Sequence, residues 1–252
     1  MSQKPRRDEI LNILKRNGFC TVNALVNELH YSTATIYRDL NELEHLNLVK
    51  RSYGGVELAG RKGMMSLSSR YDYMKPEKRR LAQIAAACVE DGDTIFLAGG
   101  STTEYMAPYL ADKKNIHVIT HNIRLVEYFA ELGIEVTCLG GKMFDPPSIL
   151  LSEETVENIM KFNTDKAFLS PTGISETGDV EVSEAYYMVY RVSMQRAKKT
   201  YLISDKSKWG RRSDRRISDL SGFDCVISDI AFPSTIKGDF PKTKFFFAGE
   251  EK

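Results

Sequence analysis

The chain has 252 residues, 42% hydrophobic and 27% charged, a balance that excludes fibrous, peptide-like and wholly disordered readings and fits a small domain joined to a medium one. No apolar run approaches the roughly 20 residues of a membrane-spanning helix, and the opening MSQKPRRDEI lacks the apolar segment of a signal peptide, so the chain reads as soluble and cytoplasmic with no membrane partner. The formal net charge is +1, but residues 1–75 carry 12 basic and 8 acidic side chains and the remainder 23 and 26, the asymmetry of a polyanion-binding module attached to a larger body.

From Arg6 to Arg16 the apolar residues Ile10, Ile13 and Leu14 recur at helical spacing, and Asn17-Gly18 supplies a stop. A second run, Val22, Leu25, Val26 and Leu29, starts after Thr21, a candidate N-cap, and ends at His30. Ser32 can cap a third helix whose buried stripe is Ile36, Leu40, Leu43 and Leu46. Two helices across so tight a turn sit at helix-turn-helix spacing. The third helix presents Thr33, Thr35, Tyr37 and Arg38 on the N-terminal half that faces base edges when such a helix enters a major groove, whereas Asp39, Glu42 and Glu44 belong on the side away from DNA. Leu48-Val49-Lys50-Arg51, a Ser-Tyr-Gly-Gly turn and Val56-Glu57-Leu58 read as a hairpin wing, with Lys50 and Arg51 as its phosphate contacts. The plain alternative is a protein-binding module, since helix arrangement alone is common.

The run Thr21-Val22, Leu25, Ser32, Thr35-Ile36-Tyr37-Arg38-Asp39-Leu40, Leu43, Arg51, Tyr53-Gly54-Gly55-Val56 resembles the N-terminal signature of the DeoR family of bacterial transcriptional regulators, and the likeness extends over nearly the whole chain. The usual family pattern is TIRRDL on the helix and HGGA in the wing. Tyr37 and Tyr53 depart from it, and with Ser32 both join the DNA-contact set.

Residues 59–75, with two glycines and three serines, read as a connector between domains at 1–58 and 76–252. Beyond it, helices and β-branched strands alternate: a helix from Pro76 to Val89, strands at Asp93–Ala98, Ile116–Thr120 and Glu135–Leu139, a helix at Ile123–Leu132, and further strands at Lys166–Leu169, Thr200–Ser204, Cys225–Ser228 and Lys244–Phe247. This is the pattern of an α/β body with a largely parallel sheet, whose ligand crevice lies at the carboxyl ends of the strands.

Polar residues collect at those ends. Gly99-Gly100-Ser101-Thr102-Thr103 offers amides and hydroxyls where a helix begins, the chemistry of a phosphate cradle. It matches neither a Walker loop nor a dinucleotide GxGxxG. Thr120-His121-Asn122, Gly140-Gly141-Lys142, Ser170-Pro171-Thr172-Gly173 and Ser204-Asp205-Lys206-Ser207-Lys208 end other strands. Together they suit a ligand with a phosphate and several hydroxyls, with a lysine as countercharge and Asn122 and a carboxylate on the hydroxyls; taken one at a time each is also an ordinary turn, cap or solvated lysine.

The resemblance implies the same. DeoR-family effector domains carry a G-[ST]-T-T loop, an Asn or Ser after the second strand, Leu-Gly-Gly after the third and a D-x-[ST]-K segment, matched here by Gly100 to Thr103, Asn122, Leu139 to Gly141, and Asp205, Ser207 and Lys208. Glu184 stands where the family commonly places an acidic residue near its ligand. The family fold is similar to ribose-5-phosphate isomerase and coenzyme A transferases, and its members generally sense phosphorylated sugars. Here Leu97-Ala98-Gly99-Gly100 and Ser170-Pro171-Thr172-Gly173-Ile174 replace the usual LDxGTTT and GADGI, so two carboxylates are missing, which weakens an enzyme reading.

Arg211, Arg212, Arg215 and Arg216 surround Asp214 in what reads as a solvated, mobile loop without an assigned role. Cys20, Cys88, Cys138 and Cys225 form no CxxC pair, so no metal, disulfide framework or cofactor is expected. The expected protein is a repressor of a carbohydrate-utilisation operon, a dimer or tetramer that binds double-stranded operator DNA under control of a phosphorylated sugar. The rival is a sugar-phosphate isomerase-like enzyme with an accessory N-terminal module.

Overall fold

The computed structural model describes residues 3–17, 19–46, 48–52, 55–58, 70–71, 73–145, 148–232 and 234–248. The chain folds as two units, residues 1–73 and 74–252. Most of the expected connector, and Tyr53 and Gly54 of the wing turn, lie outside the described residues.

In the first unit α1 (Gln3–Asn17), β1 (Phe19–Thr21), α2 (Val22–Leu29), α3 (Thr33–His45), β2 (Val49–Ser52) and β3 (Gly55–Leu58) follow one another. Ile10, Ile13 and Leu14 of α1 close on Leu25 of α2, Ile36, Leu40 and Leu43 of α3, and Val49 and Val56 of the wing, so each helix buries the stripe that its sequence period marks. The Thr21 hydroxyl accepts from the Ala24 amide at 3.0 Å and Ser32 Oγ from Thr35 N at 3.3 Å, and these caps start α2 and α3. His30 ends α2 in the left-handed region, at φ 55°. The wing is a three-stranded antiparallel sheet in the order β1-β3-β2. The third strand, β1, is too short for any period to show in sequence.

In the second unit α4 (Lys75–Ala87), β4 (Thr94–Leu97), α5 (Ser101–Glu104), α6 (Ala107–Leu110), β5 (His117–Thr120), α7 (Ile123–Glu131), β6 (Glu135–Cys138), β7 (Met143–Asp145), β8 (Ile149–Leu150), α8 (Glu153–Ile159) and β9 (Thr164–Leu169) come first. They are followed by β10 (Gly173–Ile174), β11 (Asp179–Val182), α9 (Tyr187–Arg196), β12 (Ala197–Ser204), β13 (Arg215–Asp219), β14 (Cys225–Ser228), α10 (Ser234–Asp239) and β15 (Lys244–Phe247). Seven strands form one parallel sheet in the order β15-β14-β12-β9-β4-β5-β6. Leu81, Ala82, Ala85 and Ala86 of α4 pack with Ile95, Leu97, Val118, Phe168 and Ile203 on one face of that sheet, and α9 packs on β9 and β12.

A small antiparallel sheet, β10-β11-β13, and the hairpin β7-β8 were not foreseen. The arginine-rich stretch expected as a solvated loop is in part β13, paired with β11. Its RRISD sequence holds a single apolar residue, the buried Ile217, and arginines in and just before it are ion-paired. Arg216 pairs with Asp179 and Asp219, and Arg212 with Glu181 at 2.8 Å.

Candidate functional site

On α3 the exposed face carries Ser32, Thr33, Tyr37, Arg38 and Asn41, with Thr35 half-buried. Ser32 serves first as the helix cap, and its hydroxyl also lies 2.8 Å from Thr35 Oγ1. Asp39, expected on the side away from DNA, is fully buried and clasped by Arg6, whose guanidinium also lies 4.9 Å over the Tyr31 ring, and by Arg7. The bond to Asp39 raises the Arg6 pKa further. Arg7 extends to Glu42 at 2.6 Å, so α1 grips α3 through Asp39 and Glu42, while Arg38 is exposed. In the wing Lys50 is exposed. Arg51, the other expected phosphate contact, places its guanidinium 5.0 Å over the Tyr37 ring and donates to Asn41 Oδ1 at 2.6 Å.

In the second unit the five polar strand ends fall on adjacent parallel strands, in the spatial order β12, β9, β4, β5, β6. Because all five run the same way, residues 205–208, 170–173, 99–103, 121–122 and 139–142 share one edge of the sheet. The chain runs outward from β4 through β5 to β6, then returns to β9 on the other side of β4. That reversal opens the crevice of a doubly wound sheet between β4 and β9. Thr102 and Ser170 meet across it, Oγ to Oγ1 at 3.5 Å, and Tyr190 donates to the Ser170 carbonyl at 3.0 Å.

Gly100 caps α5. Ser101, Thr102 and Thr103 are all buried, but the Thr103 hydroxyl is spent on the Ala98 and Gly100 carbonyls. Ser101 Oγ accepts at 3.0 Å from Nζ of Lys78, which reaches in from α4 and is 1% exposed. Asn122 is a cap: its Oδ1 accepts from Arg124 N at 3.0 Å while its Nδ2 donates to Glu104 at 2.7 Å. Asp205 is fully buried. One of its oxygens accepts from the Ser207 amide and hydroxyl, which fixes Ser207 in a local turn, and the other has no hydrogen-bond partner among the described residues. Lys208 is buried beside it in the same turn. Burial and the Asp205 carboxylate together push the neighbouring Asp229, at the end of β14, up to about 6.

The remaining expected site residues have structural roles or lie exposed. Gly173 has no room for a Cβ, because it would stand 2.2 Å from the Arg211 carbonyl, so its glycine serves a chain crossing. Thr172 is tied through its amide to the Glu181 carbonyl. Glu184 is exposed and paired with Arg215, off the seven-stranded sheet. Gly140 and Gly141 take positive φ of 70° and 118°, which makes the turn after β6, and Lys142 is exposed there.

Sequence reasoning missed two residues as ligand candidates. His121 is fully buried between the Phe96 and Tyr186 rings, its Nε2 accepts from the Gly99 amide at 3.0 Å, and its Nδ1 has no hydrogen-bond partner among the described residues. Burial drops its pKa to about 3, so the ring is neutral, and with Nε2 accepting, the proton sits on Nδ1. Lys78 was legible as a lysine within the apolar stripe Leu81, Ala82, Ala85 of α4.

A helix-turn-helix with a reading face, joined to a doubly wound sensor-type body with a polar crevice, defines a ligand-responsive DNA-binding regulator. Two family models fit this chain: the DeoR-like helix-turn-helix domain over residues 6–62 and the DeoR C-terminal sensor domain over residues 74–230. The chain belongs to the DeoR family of transcriptional regulators. It is 32% identical to the HTH-type transcriptional repressor GlcR of Bacillus subtilis over 91% of this chain and 89% of that one. It is 27% identical to the glycerol-3-phosphate regulon repressor of Escherichia coli, over 94% of each. A ribose 5-phosphate isomerase from Methanocaldococcus jannaschii aligns at 16% identity over 54% of this chain and 55% of that one, with a TM-score of 0.40. No helix among the described residues is long and apolar enough to cross a membrane.

Proposed function

We propose that this protein is a repressor of carbohydrate-utilisation genes, that its second unit binds a phosphorylated sugar in the crevice between β4 and β9, and that this binding controls operator affinity. One observation carries the effector assignment: Lys78 holds a buried ammonium against Ser101, at the loop whose amides begin α5. A phosphate at Gly100, Ser101 and Thr102 would lie beside that ammonium and could take a charge-assisted hydrogen bond from it. The sugar hydroxyls then fall to Asp205, through its unpartnered oxygen, with Lys208 as a second cation. The names of the relatives, one of which is a glycerol-3-phosphate regulon repressor, support the same ligand class.

The protein acts in this reading as a cytoplasmic dimer or tetramer, since a single head reads only a half-site, and it has no turnover of its own. The crevice loops after β4 and β9 carry no carboxylate to serve as a base for sugar isomerisation. Thermal melting of the full chain against inorganic phosphate, ribose 5-phosphate, glucose 6-phosphate, glycerol 3-phosphate and the free sugars tests the reading. A rise with one phosphate ester but not with its unphosphorylated form is expected, and Lys78→Met should lose it. A shift that survives unchanged in Lys78→Met would refute the phosphate placement.

A further inference from the structure

The wing and the reading face of α3 are joined through one side chain. Arg51, on β2, covers the Tyr37 ring from 5.0 Å and hydrogen-bonds Asn41 Oδ1 at 2.6 Å. Tyr37 and Asn41 are one helical turn apart, so they project from the same face of α3, and both are exposed. A guanidinium has only donors, so the amide atom that faces it is the oxygen. This turns the Asn41 oxygen toward Arg51 and leaves its two N–H donors on the side away from the guanidinium.

The consequence for base recognition is chemical. An asparagine that selects adenine needs both its oxygen and its amide nitrogen, for the adenine N6–H donor and N7 acceptor. With its oxygen directed at Arg51, Asn41 cannot set oxygen and nitrogen together against one adenine edge, and the N–H donors it presents match the guanine O6 and N7 or the thymine O4. Beside it the Tyr37 ring, with one face covered by Arg51, offers its remaining face and edge as an apolar surface. Thymine alone presents an acceptor and a methyl group together in the major groove.

We propose that Arg51 is a positioning residue rather than a phosphate contact, and that the Tyr37–Asn41 pair it holds reads a thymine in the major groove. The inference rests on α3 being the DNA-reading helix. It also gives the Tyr37 departure from the family pattern a purpose, because an arginine in its place could not offer the apolar surface.

The test is selection of bound duplexes from a random-sequence library by the full chain, wild type and Arg51→Met, followed by salt titration of the selected duplexes. In the wild-type motif one position of each half-site is expected to be thymine. Replacing that thymine by uracil, which removes only the methyl, should weaken binding three- to tenfold, while uracil elsewhere is neutral. Arg51→Met frees the Asn41 oxygen, so its motif should move toward adenine at that position, with the other positions and the salt slope unchanged. The proposal fails if Arg51→Met selects the wild-type motif while its slope of log K against log salt falls by about one, the mark of a lost phosphate contact. It fails equally if uracil is neutral at every thymine of the wild-type motif, a measurement that needs no variant to fold. A wild-type chain that selects no motif at all would instead remove α3 as the reading helix.

Discussion

His121 makes the sensor unit acid-labile in a way that can be calculated. The imidazole is fully buried, neutral, and titrates near 3 when folded against about 6.5 when exposed. Its folded pKa is depressed by desolvation, so the unfolded chain binds a proton that the native state refuses. The stability this represents is whole above about pH 6.5 and lost as pH falls from there toward 3. At pH 5 the linkage amounts to about 2 kcal/mol, growing by about 1.4 kcal/mol for each further unit down to pH 3. Urea unfolding of the full chain, followed at pH 7 and pH 5 for wild type and His121→Gln, measures it. Glutamine keeps an acceptor for the Gly99 amide but does not titrate, and the other carboxylates act equally in both proteins and cancel in the difference. The wild type should therefore lose about 2 kcal/mol more than His121→Gln between the two pH values. Equal losses, or a His121 titration near 6.5 by NMR, would refute the burial argument.

Asp229 runs the opposite way. Its folded carboxyl titrates near 6 through burial and the Asp205 charge, so between about pH 4 and 6 the native state keeps a proton the unfolded chain has lost, and stability falls as pH rises through that window. Asp229→Asn should be more stable than wild type at pH 7, an advantage that disappears near pH 4 in the same unfolding assay. In the head, Asp39→Ala leaves Arg6 and Arg7 without their buried partner, and truncating one side of such a pair costs roughly 3–5 kcal/mol; the head's melting transition should fall with the sensor unit's unchanged. A Cβ at Gly99 would stand 2.5 Å from His121 Nε2, so Gly99→Ala must displace the imidazole. A loss of roughly 1–3 kcal/mol is expected, together with a normal histidine titration for His121. If that variant melts like wild type, the Gly99–His121 contact is not what shapes the loop.

Local signals determined the helices of the head. The periods of Ile10, Ile13 and Leu14 and of Ile36, Leu40 and Leu43, with caps at Thr21 and Ser32, need only neighbours in sequence to be read. The same holds for the parallel sheet, because β-branched runs alternating with helices admit few other arrangements. Once the strands are parallel, the strand-end loops must share an edge, and so the placement of Gly100, Ser101 and Thr102 on the same edge as Asp205 and Lys208 was legible. What a given side chain does there was not legible, because each answer lies with a partner far away in the chain. Thr103 and Asn122 have the composition of ligand groups yet spend their bonds on their own loop and on Glu104. Gly173 has the look of a cradle glycine and serves to let the Arg211 backbone pass.

Charge was the least transparent signal. Arg51 and Arg216 are equally basic in sequence, but one lies over Tyr37 and the other closes a β-sheet against Asp179. Asp39 looked like a carboxylate to be kept from DNA and proved to be the buried anchor of α3. A charged side chain announces that it needs a counterion or water; only tertiary packing, which sets the distance and the dielectric between the two, decides which it receives.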